Sequence, residues 1–215
     1  MTLKTKKNLL EKSMSVFAQK GYAEASVRDI AEAAGVNVSA IKYYFGNKRG
    51  LYEAVLNLFV RFVRAEISPV FERAKTLAAQ DAMNADNASD CLCDLFSKLV
   101  RLLCSKKIPS DAVTIFLSEY AHTSASYKVI EKGLISPVND LTAGLIAAAT
   151  QDKLTLQEAY LHSFPLLTQL FVFKSHEKGV RRAAGWKRYG EKEIDVITDL
   201  CLRHTRAVLN DLRRG

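Results

Sequence analysis

Two ammonium groups, two phenols and a hydroxyl fall within the ten residues "SAIKYYFGNK" (39 to 48), on Lys42, Lys48, Tyr43, Tyr44 and Ser39. Hydroxyls, phenols and ammonium groups donate to phosphate oxygens and base edges, and the small Ala40 among them allows a close approach to a groove wall or a thymine methyl. A second chemical pairing is Glu119-x-x-His122, the Glu-x-x-His spacing of carboxylate-bridged metal bundles, with both side chains on one helical face. Such sites need a second motif of the same kind, and the chain has none, so a structural or pocket role is the stronger reading of the pair. Cys91 and Cys93 stand two apart, about 200° around a helix, and do not chelate a metal by themselves. With Cys104 and Cys201 they read as small buried hydrophobes. No glycine-rich phosphate loop, Gly-x-Ser-x-Gly elbow or His-Glu-x-x-His motif occurs. The chemistry on offer is binding rather than catalysis, with no cofactor or metal expected.

Charge points the same way. The 215 residues carry a net charge of +8, and residues 1 to 50 hold nine Lys or Arg against four acids, so five of the eight excess charges sit in under a quarter of the chain. That asymmetry favours an anionic partner, nucleic acid before membrane. Neither an amino-terminal apolar run with a cleavage site nor an uncharged 18-residue stretch is present, which leads us to expect a cytoplasmic protein with no membrane partner.

The residues around this basic stretch predict short helices that would position it. Leu10, Met14 and Phe17 repeat at helical spacing until Gly21 stops the run. Ser26-Val-Arg-Asp29 has the form of a capping box, and Val27, Ile30, Ala31 and Ala34 make the inner stripe of a second helix. Gly35 suits the reversal that follows, and Asn37 suits the cap of a third helix. With Ile41 set at zero on that helix, Val38 and Phe45 fall within about 60° on the inner side. Ser39 and Tyr43 then lie opposite, flanked by Ala40 and Lys42, with Tyr44 at the boundary. Two short helices joined by a glycine turn, the second with such a face, describe a helix-turn-helix reader of double-stranded DNA.

The stretch "FAQKGYAEASVRDIAEAAGVNVSAIKYYFGNKRGLYEAV" (17 to 55) resembles the amino-terminal signature of the TetR-like transcriptional regulators nearly position by position. The resemblance implies DNA-contacting roles for Arg28, Ser39, Ala40, Lys42, Tyr43, Tyr44 and Lys48. Two positions depart from the family pattern and bear on the target sequence: Lys42 stands where a tyrosine is frequent, and Tyr44 where a histidine is common. Lys48 and Arg49 also open a helix whose dipole they oppose, which a phosphate partner would explain.

Beyond residue 50 the apolar spacing predicts further helices, and no alternating strand pattern competes. Leu51, Val55, Leu58 and Phe62 begin one helix that could continue toward Leu77 with an interruption at Pro69; stripes on Leu92, Leu95, Phe96, Leu99 and Leu103 and on Phe116, Leu117 and Tyr120 mark others. More helices are expected near 136 to 150, 155 to 175 and 193 to 212. The expectation is an all-α chain with a DNA-binding domain at 1 to 50 and a helical ligand-binding and dimerisation domain at 51 to 215. Leu156, Tyr160, Ser163, Leu167 and Leu170 form one terminal stripe, and Ile194, Ile197, Cys201, His204, Val208 and Leu212 another. By themselves these fit a protomer core at least as well as a bundle between two copies. The family resemblance favours the second, placing a homodimer interface on Leu156, Tyr160, Leu167, Leu170, Ile197, Cys201, His204 and Val208, with a bend at Pro165.

Residues 119 to 140 and 179 to 198 also resemble the carboxy-terminal domain of the CerR-like branch, associated with drug-efflux genes. Together these resemblances imply a homodimeric repressor released from its operator by a small-molecule ligand, controlling efflux or stress-response genes. Phe96, Phe116, Tyr120, His162 and Gln169 mix apolar walls with polar anchors and are the candidate pocket lining. A ligand-independent or architectural DNA-binding protein, and a helical metal-dependent enzyme, are the alternatives.

Overall fold

A computed structural model describes residues 3–151 and 153–214. The regular elements among them are helices: α1 (Leu3–Glu24), α2 (Val27–Ala34), α3 (Val38–Phe45), α4 (Lys48–Ala79), α5 (Ala85–Cys104), α6 (Ser110–His122), α7 (Tyr127–Ile130), α8 (Ser136–Ala149), α9 (Leu156–Ser175), α10 (Glu177–Ala184) and α11 (Glu191–Arg214), with a π-helical turn at Glu131–Ile135. Their packing divides the chain into two compact units, Met1–Phe62 with Ile108–Ile135 and Val63–Lys107 with Ser136–Gly215. That division differs from a boundary at residue 50. Composition marks where the basic stretch ends, whereas packing groups α6 and the first half of α4 with α1 to α3.

In the first unit the short helices close on Leu9, Phe17, Ile30, Ile41, Leu51 and Leu56, all buried. Tyr52 of α4 meets Phe17 edge-on at 4.9 Å, and Phe59 stacks on Phe116 of α6 at 4.8 Å. Glu119, the acid of the Glu-x-x-His pair, is buried and accepts hydrogen bonds from the Tyr52 and Ser124 hydroxyls, each at 2.8 Å. Burial first, and then the Glu119 carboxylate beside it, push the Tyr52 phenol well above its ordinary range. His122 is exposed, so the pair does not share one environment.

The second unit packs α5, α8, α9 and α11 around Leu92, Phe96, Ile146, Leu170, Ile197 and Leu209. Arg213 ties three of its helix ends together: its guanidinium donates to the Ala149 and Ala85 carbonyls at 2.6 and 2.8 Å and to the Ser89 hydroxyl at 2.7 Å. α4 runs on through Pro69 and α9 through Pro165, so neither proline ends its helix. Both prolines are exposed, on the side of each helix where a missing backbone donor leaves its partner carbonyl open to water.

The terminal stripes are divided between the interior of the protomer and its surface. Leu167, Leu170, Ile197 and Cys201 are buried inside the protomer, Ile197 at 1% exposure, and Tyr160 is half-buried with its phenol on Asp140 at 2.6 Å. Of the expected interface set, Leu156 and His204 are exposed and Val208 is half-buried. The physical reason is a second apolar face. Leu161, Phe164 and Val172 on α9, and Val196 on α11, point to solvent, so these helices are apolar on more sides than one stripe accounts for.

Candidate nucleic-acid interface

The reading helix is held by its ends. Ser26 caps α2 as expected, its hydroxyl accepting from the Asp29 amide at 3.0 Å while the Asp29 carboxylate accepts from the Ser26 amide at 2.9 Å. That backbone bond above all, with the Lys20 ammonium at 3.0 Å and the Ser26 hydroxyl, lowers the Asp29 carboxyl to about 2. Gly35 closes α2 in the left-handed conformation at φ 64°, and Asn37 caps α3 by accepting from the Ser39 amide at 2.9 Å.

α3 buries Ile41, as its wheel predicts, but its inward side is turned toward Ala40. Ala40 is fully buried, so the small residue expected on the groove face is a packing contact instead, while Val38, expected inside, is 40% exposed. Alanine lets α3 seat closely on the rest of the head, with Ala40 and Ile41 together forming its buried edge. Tyr43 remains outermost at 75% exposure, beside exposed Ser39 and Lys42. Tyr44 is half-buried, its ring 5.0 Å from that of Tyr43 and nearly perpendicular to it. Arg28 of α2 is exposed in the same unit.

Lys48 does local work as well as carrying charge. Its ammonium donates to the Ala23 carbonyl at 3.0 Å and lies 4.6 Å from the Tyr22 ring centroid, joining the start of α4 to the end of α1. An ammonium has three donors, so this leaves capacity for a phosphate. Arg49 pairs with Glu53 at 2.7 Å, which holds its guanidinium charged. Asn47, outside the expected contact set, caps α4, its side chain accepting from the Gly50 amide at 2.9 Å. The residue type, standing directly before a helix start, was the available signal. Gly50 has no room for a side chain: a β-carbon there would overlap the Phe45 carbonyl oxygen.

The candidate pocket residues divide between the units. Phe116 and Tyr120 stack in the first at 6.1 Å; in the second, Phe96 is fully buried and His162 and Gln169 are half-buried, Gln169 donating to the Leu166 carbonyl at 3.1 Å. A groove of 620 Å³ in the second unit is lined instead by Phe71, Ala74, Ala78, Met83, Leu141 and Leu145, with Glu72, Lys75 and Asp140 among its polar neighbours. Aromatic content drew attention to residues that fill cores; the groove is walled mainly by smaller side chains.

Known proteins share this arrangement. Residues 9–55 match the family described as bacterial regulatory proteins, tetR family, and residues 88–212 match the carboxy-terminal domain of the HTH-type transcriptional dual regulator CecR. The chain therefore belongs to the TetR family of bacterial DNA-binding transcription regulators and carries a CecR-type carboxy-terminal domain. It is 28% identical over 218 residues to the HTH-type transcriptional dual regulator CecR of Shigella flexneri, spanning 99% of this chain and 96% of that one. Among solved structures, a TetR-like regulator from Rhodococcus sp. RHA1 superimposes with a TM-score of 0.70 at 17% identity, covering 96% of each chain. AibR, solved with isovaleryl coenzyme A and operator DNA, gives 0.66 at 18% identity, covering 92% of this chain and 96% of that one. The likeness to solved structures establishes the fold, and the family matches establish its class, transcription regulators rather than enzymes. Among the described residues, no helix is long and apolar enough to cross a membrane.

Proposed function

We propose that this protein is a homodimeric repressor that binds a double-stranded operator through α3 and is released by a small-molecule ligand. The observation that carries the reading is the exposed Ser39, Lys42 and Tyr43 surface on a helix fixed by the Gly35 turn and the Asn37 cap. Arg28, Tyr44 and Lys48 complete the DNA-contacting set, and Ala40 supports it from inside. Tyr43→Ala removes a groove contact while leaving Ile41 packed, and with two subunits the loss is on the order of 2 to 6 kcal/mol of operator affinity. Operator titration with circular dichroism as the folding control tests this. A folded Tyr43→Ala protein that binds as tightly as the parent would remove α3 from the interface.

The second copy is proposed to pack on the outward faces of α9 and α11, through Leu161, Phe164, Val172 and Val196 with Leu156, His204 and Val208. The ligand is proposed to be a small molecule with an apolar body, because the groove walled by Phe71, Met83, Leu141 and Leu145 is large enough for one and a neighbour of the same fold was solved with an acyl coenzyme A. Efflux or stress-response genes as targets rest on the branch resemblance. An inducer and the operator must weaken each other's binding by one factor, so a compound that binds equally well with and without operator is not the inducer.

A further inference from the structure

The first two turns of α1 carry Lys4, Lys6 and Lys7, all exposed. Their spacing puts them on two sides of α1, and the fold gives each side a neighbour. The Asn8 side-chain amide donates to the Ala34 carbonyl at 2.7 Å and seats this end of α1 on the turn between α2 and α3. Lys4 and Lys7 border a groove with Ala34, Gly35 and Val36, just before α3 begins. Lys6 borders another groove with Tyr44, Phe45 and Arg61, where α3 ends, and its ammonium lies 5.8 Å from the Phe45 ring centroid. The reading helix between them is eight residues long, roughly 12 Å, about the width of a DNA major groove.

Nothing within α1 accounts for this charge. The first turn holds no acid, and lysines there oppose the helix dipole. Glu11 faces Lys7 at 3.8 Å with both side chains largely in water, a pair of little worth.

We propose that Lys4, Lys6 and Lys7 form a second set of DNA phosphate contacts that brackets α3, with Lys4 and Lys7 at its amino-terminal end and Lys6, beside Arg61, at its carboxy-terminal end. Exposed cations on two sides of α1, bordering the grooves at the two ends of α3, suit successive phosphates along a duplex; one small anion would reach one side of them. This inference rests on operator binding through α3 and adds affinity without sequence information.

The test is operator titration over a range of salt concentrations, using the full chain and comparing Lys4→Ala/Lys6→Ala/Lys7→Ala with the parent, with Lys12→Ala as control. Lys12 is exposed on the same helix and borders neither groove. The triple variant should flatten the plot of log affinity against log salt by about 0.9 for each phosphate left without its lysine in a subunit, with the preference for operator over scrambled DNA unchanged. Lys12→Ala should keep the parent slope. A folded triple variant with the parent slope overturns the proposal, as does one that loses operator preference while keeping the slope. If the triple variant unfolds, Lys6→Gln and Lys4→Gln singly are read against the same expectation. Tyr43→Ala separates the two ideas: weakened operator binding in that variant, together with an unchanged slope in the lysine variant, overturns only the α1 contacts.

Discussion

The helix-turn-helix head and the α9 and α11 pair are both built from amphipathic helices, yet only the head shows its orientation through local signals. α2 and α3 are eight residues each, and Ser26, Asp29, Gly35 and Asn37 fix their ends through hydrogen bonds spanning two to four residues. α9 and α11 are 20 and 24 residues long, with apolar side chains on the buried face and also on the outer one. A stripe stepping at i, i+4 and i+7 shows that a helix has an apolar face. When a helix has two, the stripe does not say which one meets its own protomer and which one is left for a partner.

Adjacent residues on α11 give the sharpest way to break that contrast. Ile197→Glu should bury a carboxylate among core side chains at a cost of several kcal/mol, a large share of a typical domain's stability, so far-ultraviolet dichroism should show loss of the folded protein. Val196→Glu, one residue away and 54% exposed, should leave protomer stability within about 0.5 kcal/mol and lower the sedimentation coefficient by splitting a dimer. A folded, monomeric Ile197→Glu protein would return the inner stripe to the interface.

In the head, Gly50→Ala drives a β-carbon into the Phe45 carbonyl oxygen, and relief requires backbone movement where α3 meets α4. Thermal melts should show a loss of about 1 to 3 kcal/mol, with weaker operator binding. Ser26→Ala removes the α2 cap and should cost about 1 kcal/mol. An unchanged melting temperature would show that packing, rather than capping, fixes α2.

The smallest expected effect is acidic. Asp29 has its carboxyl lowered from 3.8 to about 2, so it favours the folded state at pH above about 4 and loses that contribution as pH falls toward 2. Asp29→Asn should therefore approach the parent's stability as the pH drops through this window and differ from it most above it. Melting curves of both proteins at several pH values check the sign.

Much of the head is legible in the amino-acid sequence, because its determinants are local: a capping box, a glycine that accepts a positive φ, an asparagine cap and a basic, aromatic-rich helix. The positions of α8, α9 and α11 are legible too, from apolar periodicity alone. What only the tertiary structure decided was rotation and neighbourhood. Ala40 turned inward because a methyl group permits close seating of α3. Lys48 reached back to Ala23, a partner 25 residues away along the chain. Arg213 gathered helix ends 64 and 128 residues away along the chain, and Phe116 and Phe96 filled separate cores rather than one pocket. Local hydrogen bonds are determined by neighbours along the chain, whereas which of several apolar faces is buried depends on the summed packing of residues that the sequence does not place side by side.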